Sequence, residues 1–450
     1  MTSCTYHSQK GALARNYSEF KRTPCNNLLQ KLQLKLFEKL RSLLLVALRG
    51  KSGGFNRQQD PSGSEVEPQR DGYNVTRAST IVTALEVNEV HGTGVLLQRV
   101  FKNDSNFIHI GCANGYNSRS SGALRLCIPA GVDPSLALPV LLGASSISRI
   151  LVVPWLQQDI HNALAAKALS SGKLCLWIMD HNPGDNLGNV SESNMRKLVN
   201  EADLLLAISP ELADHYTATY GRQFYFAPPI VDRKAALTVT ALQPPPPTNA
   251  KRGVLVGNIW SAMWLRQLLF VLEQVKLDLE TFGSGSPPHV DASCLSKFVR
   301  KRGHVPETEL IASMRNAAYA LVPGGTMDEH DDVAFISRFS IPSRVLYLSA
   351  IGNLPIVYLG SPDTAAAKFI ETYGLGVVCS YRPEVVEEAV AYICEHDQQI
   401  RFRNAAIRAA ALFSIDDMGD WIWRSVELGR PIDSRWALPS STNSVFTLKN

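Results

Sequence analysis

No run of apolar residues in the 450-residue sequence exceeds six, as in Leu43 to Leu48, far short of the roughly 20 that a membrane-spanning helix requires. No helix is therefore expected to cross a bilayer, and no cleavable signal peptide is evident. Paired cysteines are missing too: the eight, from Cys4 to Cys394, lie far apart, with no Cys-x-x-Cys and no Cys/His spacing suited to zinc. That usage fits reduced thiols in a cytoplasmic protein. Charged residues are only 19% of the chain against 45% hydrophobic, which excludes a mostly disordered tail and leaves enough apolar material for two or three domains. The net charge of +4 is unevenly placed, because residues 1–51 hold ten basic and two acidic side chains, or +8, and the remainder sums to −4. A basic leader on a mildly acidic body argues against a nucleic-acid-coating protein, whose positive surface would lie on the folded domain.

Residues 1–75 read as a basic leader, an amphipathic helix and a disordered linker. Asn27 to Arg49 contains neither Gly nor Pro. On a helical wheel its Leu28, Leu29, Leu32, Leu36, Phe37, Leu40, Leu43, Leu44 and Val46 share one half, with Lys31, Lys35, Glu38 and Arg49 on the other. Such a helix suits the headgroup region of an anionic membrane; docking on the body or on another subunit is the alternative, and a transit peptide the third. From Gly50 to Gly72 the chain is Gly, Ser, Gln, Pro and charge, which buries too little apolar surface to fold.

From residue 76 short apolar runs alternate with helical stretches, the pattern of a parallel α/β sheet. Expected strands include Phe107 to Gly111, Arg149 to Val153, Leu174 to Met179 and Leu204 to Ser209. A proline run, Pro244 to Pro247, interrupts the alternation and reads as a stiff connector over 244–252. The alternation then resumes at Gly253. The expected architecture is α/β: two Rossmann-like domains, 76–243 and 253–415, facing across a cleft, followed by a C-terminal crossover helix and tail over 416–450.

Four stretches carry a resemblance. They are GHVPETELIASMRNAAYALVPGG (Gly303 to Gly325), SIPSRVLYLSAIGNLPIVYLGSPDTAAAKFI (Ser340 to Ile370), NEADLLLAISPELADHYTATYG (Asn200 to Gly221) and EVHGTGVLLQRVF (Glu89 to Phe101). Taken in order over about residues 80–430, they resemble GT-B glycosyltransferases of the GT4-like, "glycosyl transferases group 1" type. Read from the residues alone, Pro342 and Ser343 suit the first positions of a helix, whose unpartnered N–H groups and positive dipole, with Arg344, suit a diphosphate. His91-Gly92-Thr93-Gly94 precedes a helix expected over Val95 to Phe101, and two glycines let backbone approach a ligand. Asp180 and His181 end a strand at the sheet edge where such folds place their chemistry, and either is suited to take a proton from an acceptor hydroxyl; His91 competes for that role.

The resemblance implies transfer of a sugar from a nucleotide donor to a carbohydrate or lipid-linked acceptor in surface-polysaccharide or glycolipid assembly. It assigns the donor to Gly92, Thr93, Gly94, Gly257, Asn258, Asp328, Glu329, Ser340, Ser343 and Arg344, with Asp180, His181, His91 and Arg344 as catalytic candidates. Two departures stand out. Asn258 occupies a place where many relatives have Arg, leaving Arg344, Arg266 and Arg338 as the cations at hand. Tyr347 or Leu348 falls where many relatives have the glutamate that holds the donor ribose. The run Asp328 to Asp332 (DEHDD) invites a metal reading, but an acidic surface loop is expected, and neither a metal nor a cofactor. The rivals are a non-catalytic scaffold on the same fold, held at a membrane, and a sugar-nucleotide epimerase. A cytoplasmic location follows, peripheral on the inner membrane face if the leader binds lipid. Deleting residues 1–50 is expected to release the protein from anionic vesicles in a flotation assay, each basic residue adding about 1 kcal/mol at the surface; undiminished binding would make the leader a docking helix instead.

Overall fold

The apolar runs that begin at Ala78 lie side by side as parallel strands in the computed structural model, which describes residues 78–436 except 89–90, 105, 112–119, 129–130, 143–144, 182–189, 238–250, 284–290 and 292. The expected helix over 27–49, the tether after it, the proline run Pro244–Pro247 and Asn182 to Gly184 fall outside the described residues. The first sheet contains β1 (Ala78–Val82), β2 (Phe107–Gly111), β3 (Leu124–Cys127), β4 (Ile147–Val152), β5 (Lys173–Ile178), β6 (Leu204–Ala207) and β7 (Tyr225–Phe226). Its helices are α1 (Gly92–Val100), α2 (Pro134–Leu142), α3 (Gln157–Ala168), α4 (Glu192–Glu201), α5 (Pro210–Tyr220) and α6 (Arg233–Leu237).

The second sheet is built from β8 (Gly253–Val256), β9 (Leu279–Phe282), β10 (Arg300–Gly303), β11 (Tyr319–Pro323), β12 (Ile356–Leu359) and β13 (Gly376–Cys379). Around it lie α7 (Ala262–Gln274), α8 (Glu307–Arg315), α9 (Ala334–Phe339), α10 (Ser343–Leu346), α11 (Ala365–Tyr373), α12 (Pro383–Ile393) and α13 (His396–Phe413), and α14 (Met418–Leu428) follows them in the chain. Strand order is β3-β2-β1-β4-β5-β6-β7 in one sheet and β10-β9-β8-β11-β12-β13 in the other. Both are Rossmann-like, and each reverses direction once, between β1 and β4 and between β8 and β11, where such sheets leave a crevice at their C-terminal edge. Helices cover both faces, so a strand such as β5 is apolar after its first residue: Leu174 to Ile178, and Met179 beyond, are no more than 4% exposed.

Two elements differ from expectation. α1 begins at Gly92, earlier than Val95, because the His91 side chain caps it. The helix that starts at Ser343 changes winding midway, and Tyr347–Ile351 is a π-turn. Ser349 Oγ donates to Val345 O at 2.9 Å, competing for the carbonyl four residues back, and Gly352 N–H reaches Tyr347 O at 3.1 Å instead.

The halves share one contiguous apolar core that also takes in α13 and α14. α14 returns to the first sheet: the Trp423 ring lies 5.4 Å from Phe101 and the Arg149 guanidinium 4.6 Å over it. A Cβ at Gly419 would meet Val100 O at 2.7 Å, so this crossing needs glycine. Trp421 and Trp423 stand two apart on the helix and so on different faces, yet both are 2% exposed. The reason is that the tail folds back over the second face, setting Trp436 edge-on to Trp421 at 4.5 Å, with Trp421 Nε1 donating to Asp433 at 3.2 Å. Lys102 Nζ bridges Asp232 at 3.2 Å and, more closely, Asp416, joining the start of α6 to the segment between α13 and α14. Among the described residues, no helix is long and apolar enough to cross a membrane. Trp423→Ala is expected to cost about 3–5 kcal/mol, read as a fall in Tm; a loss below about 1 kcal/mol would mean that α14 does not depend on this contact.

Candidate functional site

The crevice ends of the two sheets meet through two helix starts. On the first half, His91 Nδ1 accepts from Gly94 N–H at 3.1 Å. Its Nε2 lies 2.7 Å from Glu86 O, so the proton sits on Nε2 and is donated to that carbonyl. Burial lowers the pKa of this imidazole, which stays neutral as a cap with both nitrogens occupied. A Cβ at Gly94 would lie 2.5 Å from Glu86 O and 2.6 Å from Asn88 O. The glycine therefore serves close backbone approach within this turn, while the N–H groups of Gly92 and Thr93 fall in the first turn, where no carbonyl four residues back is available.

On the second half, Gly257 follows β8 with φ +87°, a left-handed conformation that favours glycine. The Arg344 guanidinium packs beside it, donating from Nη1 to Asn258 O at 2.6 Å and from Nη2 to Pro323 O at 3.1 Å. Its Nε is buried with no hydrogen-bond partner among the described residues. Burial lowers the Arg344 pKa, with the phenols of Tyr358 and Tyr381 acting against that. Arg344 thus ties the ends of β8 and β11 together, and its truncation would strand two carbonyls as well as remove a charge. Ser343 opens α10 beside it, and a Cβ on Gly92 would lie 3.4 Å from Ser343 Oγ. The start of α1 and the start of α10 thus face each other across the two halves.

Asp180 and His181, adjacent in sequence, serve different surroundings. Burial raises the Asp180 pKa to about 6, and the Ser340 hydroxyl beside it opposes the rise. His181 is pushed down to about 4 by burial and by the nearby imidazole of His215. Its ring sits 5.0 Å from Phe339 and 5.0 Å from His215. Tyr216 OH is 3.4 Å from His181 Nδ1, and His215 stacks on Phe339 at 4.5 Å. With Ser209 Oγ donating to Phe339 O, these contacts join α5 to α9 across the cleft. The His215–Phe339 contact left no mark in the sequence, since the two residues are far apart in it and nothing in the stretch that holds His215 points to Phe339.

The acidic run is a surface loop only in part. Asp328, Glu329 and His330 are exposed, whereas Asp331 is 8% exposed. Asp331 accepts from Trp264 Nε1 at 3.0 Å, Met327 N–H at 3.2 Å and Val333 N–H at 3.2 Å. Asp332 accepts from Ser261 Oγ. Buried donors need acceptors, and the last two residues of the run are that acceptor set. Asp328 lines a separate cavity of about 1000 Å³ with Arg266 and Thr326. Tyr347, at the place of the relatives' glutamate, donates to Glu307 Oε1 at 3.0 Å under the Arg99 guanidinium, 5.6 Å from its ring; Leu348 is buried.

Two facing Rossmann-like sheets, a glycine turn against a helix start, and a last helix returned to the first sheet define the GT-B fold, which this chain has. No protein-family model matches the sequence, and no curated protein does. In structure it is similar to HepE of Anabaena in complex with UDP, with a TM-score of 0.56 and 12% identity over 78% of this chain and 100% of that one. It is also similar to the same protein in complex with UDP-glucose, with a TM-score of 0.52 and 14% identity over 78% and 99%. Gly94→Ala is expected to destabilise the first half by about 1–3 kcal/mol through overpacking, more than the roughly 1 kcal/mol of a lost cap in His91→Ala; equal Tm values for Gly94→Ala and wild type would refute the close approach.

Proposed function

We propose that the chain is a glycosyltransferase that binds a nucleotide sugar where α1 and α10 face each other and transfers its sugar to an acceptor hydroxyl. The observation that carries this reading is the Gly92–Ser343 juxtaposition. Helix starts from both halves bring unpartnered N–H groups and positive dipole ends to one point. Gly257, Asn258 and Arg344 form the floor beneath it, and Ser340 and Ser343 supply hydroxyls. Fixed donors aimed at the departing diphosphate stabilise the charge that develops as the glycosidic bond breaks. UDP and UDP-glucose are the ligands of the similar Anabaena protein, so uridine diphosphate sugars are the first donors to test.

Asp180 takes the acceptor proton on this reading. Its raised pKa keeps the carboxylate basic enough to accept a proton while leaving it ionised above about pH 6. His181, with a pKa near 4, is neutral at pH 7 and orders the aromatic contact between the halves. His91 holds the glycine turn rather than a proton in transit. Asp328 and Glu329 belong to the rim of the second half. No metal takes part: Asp331 and Asp332 already accept the hydrogen bonds of Trp264 and Ser261. A place in surface-polysaccharide or glycolipid assembly, at the inner membrane face, is consistent with a lipid-linked acceptor.

A panel of nucleotide sugars screened by thermal shift, with bound donor raising Tm by mass action, identifies the donor. Turnover of that donor in EDTA is expected to rise with pH through about 6. Below that value Asp180 is protonated and activity falls; above it the carboxylate is free and activity levels off. Asp180→Asn should abolish this limb and lower turnover by about 100-fold or more, while Ser343→Ala weakens donor binding. A chain that binds no nucleotide sugar is a scaffold, one that turns the donor over without acceptor is an epimerase, and loss of activity in EDTA restored by Mg²⁺ refutes metal independence.

A further inference from the structure

The cavity of about 1000 Å³ lies at the C-terminal edge of the second sheet, between α7 and the segment after β13, and none of Gly92, Asn258, Ser343 and Arg344 lines it. One face of α7 forms a wall: Met263, Arg266, Gln267 and Phe270 stand at i, i+3, i+4 and i+7. Phe270 is 54% exposed, although the opposite side of the same helix is buried in the core through Leu265, Leu268 and Leu272. Facing it are Val378, Tyr381 and Arg382. The cavity and the α10 start are held apart by Pro323 and Gly324. Arg344 donates to the first of these carbonyls at 3.1 Å, and Tyr381 OH donates to the second at 2.9 Å.

We propose that this cavity binds an anionic saccharide, a sugar chain carrying a phosphate or a carboxylate, at a place distinct from the nucleotide site. Arg266 and Arg382 bring two planar guanidinium groups to its lining, the side chain best suited to either oxyanion. Asp328 at the rim offsets part of that charge and accepts hydroxyl hydrogens. Met263, Phe270 and Val378 supply the apolar surface on which the carbon face of a sugar ring lies. Gln267 and Thr326 add an amide and a hydroxyl to its lining. An amide both donates and accepts, as sugar hydroxyls do, and a hydrocarbon does neither. The volume stands at the upper end of the roughly 300–1000 Å³ of small-molecule sites, more than one sugar ring requires.

Calorimetric titration of the full-length chain tests this with four probes: glucose 6-phosphate, digalacturonate, neutral cellobiose and inorganic phosphate. One or both anionic saccharides are expected to bind, the pair telling phosphate from carboxylate, with cellobiose and phosphate at least about tenfold weaker. Phe270→Ala and Arg382→Gln, at exposed positions on facing walls of the cavity, are each expected to weaken that binding at least about tenfold and to leave UDP affinity unchanged. The proposal is overturned if neither anionic saccharide binds, if cellobiose or phosphate binds as tightly, or if both variants bind like wild type. Saccharide binding without UDP binding keeps the cavity and removes the proposed function; UDP binding without saccharide binding does the reverse.

Discussion

The cleft is organised by one buried cation. Arg344 reaches from the first turn of α10 to the carbonyls of Asn258 and Pro323, at the ends of β8 and β11. Those are the two strands between which the second sheet reverses direction. A guanidinium withdrawn from water costs several kcal/mol unless its hydrogens are taken up, and two strand-end carbonyls accept from its Nη1 and Nη2 here. The same contacts fix the height of α10 above the sheet, and with it the position of Ser343 against Gly92. On the opposite wall, α1 is held by its own constraints: the His91 cap before it, and Trp423 and Gly419 of α14 against its end. The electrostatic character of the cleft is therefore set by packing at its margins.

The fold was legible because parallel strands covered on both faces must be apolar along their whole length, and Leu174 to Met179 could be little else. The turn of HGTG and the helix start at Ser343 were legible for a similar reason: glycine, proline and serine at those spacings restrict the backbone locally. What stayed hidden depends on contacts between distant segments. Nothing near Trp421 signals that Trp436 will cover it, and nothing in DEHDD distinguishes the buried Asp331 from the exposed Asp328, because the difference lies in Trp264, far earlier in the chain. His91 looked like a base in sequence, where only its residue type is visible; its two hydrogen bonds appear only once Glu86 and Gly94 are placed around it.

The adjacency of Asp180 and His181 illustrates how a strand end divides labour. Successive residues leave the sheet edge in different directions, so one carboxyl is set beside Ser340 while its neighbour enters an aromatic cluster with His215, Tyr216 and Phe339. The pKa of each moves in the direction that disfavours charge, since burial is the leading cause for both. A carboxyl that ionises late and an imidazole that protonates late make this wall of the cleft nearly uncharged around pH 5, against a second half that carries Arg344.

The ammonium of Lys102 joins three segments: the end of α1, the start of α6 and the stretch between α13 and α14. It is about a quarter exposed, so its attraction to Asp232 and Asp416 is shared with dissolved ions and weakens as their concentration rises. Asp232 stands close to where the chain leaves the first half, and Asp416 where it comes back. The stiffness of the joint is thus partly a property of the surrounding solution, and the same polypeptide has a tighter waist in dilute buffer than in brine.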